Sequence, residues 1–212
     1  MNFKAPLVVF FSALLIAFTA QAEGRTINLV GFGDSLMAGY ELAANEAFPI
    51  QLEALLRSRG QNVAISNAGV SGDTTADGLA RLVWSVPEGT DGVILALGAN
   101  DALRGLSPEE TRVNLEAIIA RLTDRGIDIL LVGMMAPPNM GADYEAAFNP
   151  IFPELAKAHG LIFHPFMLDG VALDPALKLK DNMHPNAGGT RMMAEKILPT
   201  ATEFLEKIRK KQ

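Results

Sequence analysis

The sequence predicts an α/β fold, a three-layer α/β/α sandwich built on about five parallel strands. Strand and helix patterns alternate without a break over residues 27–208. The predicted strands are short apolar runs without polar alternation, which is typical of parallel strands covered by helices on both faces. In such sheets a ligand binds beyond the carboxyl ends of the strands, so functional residues are expected there.

The predicted strands are apolar runs that end at glycine or polar residues. No internal repeat, low-complexity tract or linker separates them, so we expect one domain over residues 23–212. The strands are expected at residues 27–30, 63–66, 93–97, 129–132 and 161–163.

Apolar residues at helical spacing predict five helices between and after these strands. Ser107 and Pro108 mark one helix start, since serine caps a helix and proline is tolerated in its first turn. Gly60, Gly126 and Gly160 follow helix ends. The helices are expected at residues 48–59, 74–84, 108–125, 144–159 and 186–208.

Residues 1–22 have the pattern of a signal peptide. Lys4 gives a positive start, residues 7–18 are apolar apart from one serine, and Ala20-Gln21-Ala22 is a small-x-small cleavage site. The apolar run is shorter than the roughly 20 residues that span a bilayer. We expect cleavage after Ala22, no integral membrane segment afterwards, and a periplasmic or secreted protein; the alternative is an uncleaved N-terminal anchor.

The composition excludes several kinds of site. The chain has no cysteine, which rules out disulfides, a thiol nucleophile and zinc–thiolate sites. Its net charge is −6, and its basic cluster at residues 207–211 lies at a predicted helix end, where cations are favourable. Nucleic-acid binding needs a basic face, so we expect no nucleic-acid partner.

Four polar, glycine-rich segments carry the candidate chemistry. Three follow predicted strands, and the fourth precedes the last helix. Together they supply a hydroxyl nucleophile, hydrogen-bond donors for an oxyanion and an Asp/His pair, which is the minimum set for acyl transfer by a serine enzyme. The segments are residues 33–36, 67–73, 98–101 and 181–185.

Ser35 is the candidate nucleophile. Gly33 permits a tight turn after the first strand, and a helix that starts here would aim free N–H groups at the seryl oxygen. The alternative is that Ser35 only caps that helix. We expect Asp34 to shape the turn rather than to transfer protons. Residue 37 is Met, so the Gly-x-Ser-x-Gly elbow of α/β-hydrolases is absent.

His184 is the candidate general base and Asp181 the residue that orients it. At a spacing of three in a polar turn, the carboxylate can accept from one ring nitrogen and leave the other to take the Ser35 proton. The alternative is a local hydrogen bond that stabilises the approach to the last helix. For His159, at a helix end, and His164, after a strand, structural interpretations are favoured.

The candidate oxyanion donors are the Ser35 N–H, the Gly72 N–H and the Asn100 side-chain amide. Gly72 has no side chain to block a substrate, and Asn100 follows a core strand, where a polar amide needs partners. The alternatives are a simple turn glycine and an asparagine that ties its own loop together.

These four segments together resemble the sequence blocks of the SGNH-hydrolase superfamily, the GDSL-type esterases and lipases. Ser35 stands in Gly-Asp-Ser-Leu, Gly72 in Ser-Gly-Asp-Thr, Asn100 in Gly-Ala-Asn-Asp and His184 in Asp-x-x-His-Pro. Their order and spacing agree with the superfamily over essentially all of residues 23–212.

Within the superfamily, residues 67–75 and 135–141 are similar to the group of bacterial arylesterases and multifunctional thioesterase I/protease I/lysophospholipase L1 enzymes. The resemblance implies a flavodoxin-like sheet, a Ser/His/Asp triad, no cofactor and no metal. It also implies hydrolysis of small-molecule esters with short-to-medium acyl or aryl groups, extending to acyl thioesters and lysophospholipids.

Apolar residues that flank the motifs are expected to line an acyl groove. The substrate-binding candidates are Leu36, Leu106, Pro138 and Met140. Further flanking residues are Met37, Leu103, Met134, Met135 and Phe148, of which Met134 and Met135 are better interpreted as core.

Two other functions remain open at the level of the sequence. An O-acetylesterase acting on polysaccharide would favour acetyl groups and exposed aromatic residues, and the single tryptophan, Trp84, gives this limited support. A non-catalytic binding module on the same fold is disfavoured, because all four sequence segments are complete.

Overall fold

The computed structural model describes residue 1 and residues 25–211. The predicted signal peptide lies outside the described residues, apart from residue 1. One sheet contains five parallel strands: β1 (Ile27–Gly33), β2 (Val63–Gly69), β3 (Gly92–Ala96), β4 (Asp128–Val132) and β5 (Ile162–His164). Their order is β2-β1-β3-β4-β5. This order is that of flavodoxin-like doubly wound sheets, which confirms the predicted fold.

Helices cover both faces of the sheet. Within the described residues they are α1 (Ser35–Ala38), α2 (Phe48–Ser58), α3 (Thr75–Ser85), α4 (Ala99–Leu103), α5 (Pro108–Asp124), α6 (Ala142–Phe148), α7 (Ile151–His159) and α8 (Ala187–Arg209). Helices α2 and α8 pack together on one face, and α3, α5 and α7 pack on the other. No helix in residues 25–211 is long and apolar enough to cross a bilayer.

Local sequence signals explain the ends of the longer helices. The Thr74 hydroxyl accepts from the Asp77 N–H while the Asp77 carboxylate accepts from the Thr74 N–H, a capping box at the start of α3. The Ser107 hydroxyl caps α5 ahead of Pro108. Gly160 ends α7 in the left-handed conformation.

The core lies between the sheet and its two helix layers. Strand β3 is buried along its whole length, as expected for a central parallel strand. Large aromatic side chains fill the space on both sides, and burying each contributes several kcal/mol at about 25 cal/mol per Å². The fully buried phenylalanines include Phe32, Phe48, Phe148, Phe152 and Phe204.

The single helix predicted over residues 144–159 is wrong, because the structure has two helices that meet at Asn149–Pro150. Pro150 has no N–H to continue the hydrogen bonding of α6, and its ring crowds the preceding turn. Its carbonyl instead accepts from the Glu154 N–H and starts α7.

Strands β1 and β2 extend three residues beyond their predicted ends. Their pairing continues through Gly31 opposite Asn67 and Gly33 opposite Gly69. Glycine is needed here for close approach, since a β-carbon at Gly33 would lie 2.5 Å from the carbonyl oxygen of Ala96. The extension places the first two glycine-rich segments side by side.

Candidate active site

The carboxyl ends of all five strands open onto one cavity of about 880 Å³. Ser35 follows β1, Gly72 follows β2 and Asn100 follows β3, and all three line this cavity. Residues after β4 and β5 complete the wall, and Asp181 and His184 enter from the segment before α8. The four segments singled out in the sequence therefore converge at one place.

Ser35 is the first residue of α1, directly after the turn that ends β1. The Asp34 carboxylate caps this helix by accepting from the Leu36 N–H at 3.0 Å. The Ser35 N–H lies in the first turn, where a helix offers no backbone acceptor, so it is available as a donor. The serine is largely buried, with 9% of its surface exposed, and its hydroxyl faces His184.

The Ser35, His184 and Asp181 side chains form a continuous hydrogen-bonded chain. Ser35 Oγ lies 2.9 Å from His184 Nε2, and His184 Nδ1 lies 2.6 Å from Asp181 Oδ2. The other Asp181 oxygen accepts from the backbone N–H groups of Met183 and His184 at 2.9 and 3.0 Å. These contacts fix the ring orientation that a base needs to accept the seryl proton.

The surroundings of the Asp181 carboxylate favour its ionised form. Its hydrogen bond with His184, helped by the two backbone N–H donors, lowers the pKa of Asp181 to about 2. A carboxylate at this position favours the Nδ1–H tautomer and stabilises the imidazolium when it forms.

The other two histidines lie outside this chain of hydrogen bonds. The His159 ring pairs with the Glu116 carboxylate at 2.6 Å on the surface. His164 ends β5 and is buried, and this burial lowers the pKa of His164. Both positions agree with the structural interpretations made from the sequence.

The Gly72 and Asn100 donors are held together by α4. Gly72 has φ +89°, a conformation that favours glycine. The Asn100 amide donates to the Asp73 carbonyl at 3.0 Å, and the Arg104 guanidinium donates to the Gly72 carbonyl at 2.6 Å. An amide NH2 has two hydrogens, so Asn100 ties the loop and keeps one donor free.

Two polar clusters, one buried and one partly buried, support these loops, and sequence patterns did not reveal them. The Asp101 carboxylate accepts from the N–H and hydroxyl of Thr75 at 2.9 and 2.6 Å, which connects α4 to the start of α3. The Arg81 guanidinium donates to the Gly33 and Ala68 carbonyls, both at 2.9 Å, and pairs with Asp73 at 2.5 Å. Arg81 thereby joins the ends of β1 and β2 to the loop that carries Gly72.

Asp34 is fully buried beside the nucleophile, and one of its carboxylate oxygens has no hydrogen-bond partner. Burial raises the pKa of Asp34 to about 7, and the hydrogen bond from Leu36 only partly offsets this. The sequence predicted its role in the turn but not its burial.

The wall of the cavity is mostly apolar. Leu36 and Pro138 line it, whereas Leu106 and Met140 are not among the described lining residues. The Leu106 carbonyl accepts from the Tyr144 hydroxyl at 2.8 Å, and the Met140 methyl packs towards Gly105.

Among the other flanking residues, Leu103, Met134 and Met135 line the cavity. Met135 is 54% exposed, so its interpretation as core is wrong. Met37 and Phe148 are fully buried in the core.

Several lining residues carried no signal in the sequence. Most come from residues 166–178 after β5, which contain no recognisable motif, and one is Tyr40, which follows α1. These residues include Tyr40, Phe166, Leu168, Leu173 and Lys178. In the described part of the chain, no group of three or more acidic or histidine side chains is placed to hold a metal ion.

Comparison with known proteins gives one family and a consistent set of relatives. The profile of the GDSL-like Lipase/Acylhydrolase family matches residues 32–192. The arylesterase of Vibrio mimicus is 34% identical over 200 residues, which cover 94% of this chain and 100% of that protein. Thioesterase 1/protease 1/lysophospholipase L1 of Escherichia coli (strain K12) is 35% identical over 188 residues, 88% of this chain and 87% of that protein.

Solved structures show the same relationship. AlinE4, an SGNH-hydrolase family esterase, is 46% identical with a TM-score of 0.71, covering 85% of this chain and 97% of that one. The crystal structure of TesA is 31% identical with a TM-score of 0.78, covering 85% of this chain and 99% of that one.

Proposed function

The chain belongs to the GDSL-like lipase/acylhydrolase family and is a GDSL-type serine esterase, and we propose that Ser35, His184 and Asp181 hydrolyse carboxylic esters through an acyl-enzyme. The observation that carries the proposal is the continuous chain of contacts, 2.9 Å from Ser35 Oγ to His184 Nε2 and 2.6 Å from His184 Nδ1 to Asp181.

In the first step His184 Nε2 takes the proton of Ser35 while Oγ bonds to the ester carbonyl carbon. The carbonyl oxygen becomes an oxyanion held by the N–H groups of Ser35 and Gly72 and by the Asn100 amide. The tetrahedral intermediate then collapses, and the imidazolium returns its proton to the departing alcohol or thiol. Asp181 stabilises that imidazolium throughout.

In the second step water replaces the leaving group. His184 removes a proton from this water, the resulting hydroxide attacks the acyl carbon, and Ser35 Oγ leaves with the proton that the imidazolium returns. Protonated imidazole cannot act as a base, so the rate falls on acidification.

We propose that the substrate carries a short-to-medium acyl or aryl group. A largely apolar cavity of about 880 Å³ is larger than an acetyl group requires, which favours this proposal over an O-acetylesterase. The relatives named arylesterase and thioesterase 1/protease 1/lysophospholipase L1 make acyl thioesters and lysophospholipids further candidates.

The decisive experiment measures hydrolysis of p-nitrophenyl butyrate by the wild type and by Ser35→Ala and His184→Gln variants. His159→Gln is the matched control, because it removes a histidine that pairs with Glu116 on the surface. We expect the first two variants to lose at least about 10³-fold in kcat and the control to keep wild-type activity. A fluorophosphonate should add its mass at Ser35; full activity in Ser35→Ala would refute the mechanism.

A series of p-nitrophenyl esters from acetate to laurate tests the substrate class. We expect kcat/KM to increase from acetate to longer esters as the acyl chain packs against the apolar wall of the cavity. The increase should be up to about tenfold for every two methylene groups buried. A sharp maximum at acetate would favour the O-acetylesterase instead.

We propose further that residues 1–22 are a signal peptide and that the mature enzyme is a single domain over residues 23–212, acting in the periplasm or outside the cell. The intact mass of exported protein tests this, since cleavage after Ala22 leaves a chain that begins at Glu23. A mass that includes residues 1–22 would show an uncleaved anchor.

A further inference from the structure

An aromatic ring lies against the imidazole of His184. The Tyr40 and His184 ring centroids are 4.4 Å apart, and the two ring planes are tilted by 35°. Tyr40 also lines the cavity and is 39% exposed. A cation within about 6 Å of a ring centroid is attracted by the electrons of the ring face. The imidazole lies well inside that distance.

The turn that carries the nucleophile also fixes Tyr40. The N–H groups of Gly39 and Tyr40 both donate to the Ser35 carbonyl, at 3.1 and 3.3 Å. Tyr40 stands between two left-handed residues, Gly39 at φ +80° and Glu41 at φ +57°. A left-handed glutamate is strained, and such strain persists only where surrounding contacts hold the backbone in place.

The Glu41 carboxylate favours the neutral form of the Tyr40 phenol. Its negative charge is the largest of the causes that raise the pKa of Tyr40. A neutral phenol presents the electron-rich ring face that attracts a cation.

We infer that Tyr40 is a positioning residue that acts through His184: its ring orients the imidazole and stabilises the imidazolium that forms when Ser35 loses its proton. The inference rests on the proposed function, because His184 becomes an imidazolium during turnover only if it is the base that takes the Ser35 proton. It adds an aromatic group to the hydrogen-bonded chain of Ser35, His184 and Asp181.

Other ionisable groups also face this imidazole, and Tyr40 variants leave them unchanged. Asp181 bonds to the ring, Asp34 acts on it through its charge, and Lys178 and Glu145 line the same cavity. Differences between Tyr40 variants therefore report on the ring.

The test compares pH profiles of kcat/KM for Tyr40→Leu, Tyr40→Phe and the wild type. Without a ring the imidazolium is less stable, so the acid limb of Tyr40→Leu should shift to lower pH by about 0.4 to 0.7 units. The plateau rate should fall about two- to fivefold for the same reason. Tyr40→Phe keeps the ring and should keep the midpoint within about 0.2 units.

General damage to the site would lower the rate at every pH without moving the midpoint. Tyr144→Leu, which changes the chain's other tyrosine, should leave the midpoint unchanged. If Tyr40→Leu does not fold, Tyr40→Met repeats the test with another non-aromatic side chain. A midpoint for the non-aromatic variants that is unchanged or shifted upward overturns the inference.

A second measurement does not depend on activity. NMR titration follows the His184 ring in a Ser35→Ala background. The Tyr40 ring should hold the Cε1–H signal of His184 upfield, and Tyr40→Leu should move this signal downfield. The midpoint of the titration should shift to lower pH in Tyr40→Leu, as it does in the pH profile of kcat/KM. Absence of both changes overturns the inference even if the enzyme is active. If wild type and Ser35→Ala have equal activity, the proposed function fails while the contact between the rings can still be confirmed.

Discussion

Replacing Asp34 by asparagine should change how the stability of the protein depends on pH. Asp34 is fully buried beside Ser35, with one carboxylate oxygen unpartnered. A buried carboxyl group retains its proton more strongly than an exposed one, because the charged form loses its hydration. An asparagine in its place has nearly the same shape and does not titrate in this range.

The magnitude follows from the pKa of Asp34, which burial raises from 3.8 to about 7. The folded state then binds the proton more tightly than the unfolded chain, so the free energy of unfolding falls as pH rises. The contribution of the Asp34 proton to stability is complete below pH 3.8, the ordinary pKa of an aspartate. About 4 kcal/mol of this contribution is lost once the pH exceeds the pKa of Asp34 in the folded state. Roughly 2.5 kcal/mol of this loss falls between pH 5 and pH 8.

Urea unfolding of the wild type and Asp34→Asn at pH 5 and pH 8, followed by circular dichroism, measures this contribution. The asparagine introduces its own pH-independent cost, which cancels when the two pH values are compared. We expect Asp34→Asn to gain roughly 2.5 kcal/mol relative to the wild type between pH 5 and pH 8. An equal difference at both pH values would show that the folded protein holds Asp34 ionised, and would refute the reasoning.

Three further substitutions test the site and its support. Asp181→Asn should lower kcat about 10⁴-fold with little change in KM, because an amide opposite the ring favours the wrong tautomer of His184; steady-state kinetics at pH 8 decide this. Asn100→Ala should lower kcat about 10²- to 10³-fold by removing an oxyanion donor, and a loss confined to KM would contradict it. Asp101→Ala should cost about 1–3 kcal/mol in urea unfolding, because the buried N–H and hydroxyl of Thr75 lose their acceptor; an unchanged midpoint would contradict it.

The sequence predicted the sheet and the convergence of the three motifs that follow strands for one physical reason. Parallel strands share a direction, so the residues that follow them meet at one edge. The Asp181–His184 contact is local, since three residues of one turn bring both side chains together. The contact between Ser35 and His184, 149 residues apart in the chain, was predicted only through the completeness of the motifs.

The remaining features depend on packing that no local pattern encodes. The burial of Asp34 follows from how α1 sits on the sheet, while its sequence context is that of an ordinary helix cap. Pro150 is also ambiguous, because proline both breaks a helix and begins one. Tyr40, whose ring contacts His184, precedes Glu41, whose left-handed conformation is unusual for a glutamate and was not expected from the sequence.

The most direct test of the mechanism is a double-mutant comparison of Ser35→Ala, His184→Ala and the variant that carries both. If the serine is activated only through the histidine, each single substitution removes nearly all the catalysis that the pair supplies, and the double variant is no slower than either. We therefore expect three kcat values within about threefold of one another. Losses that multiply in the double variant would show that the two side chains act independently, and would contradict the proposed mechanism.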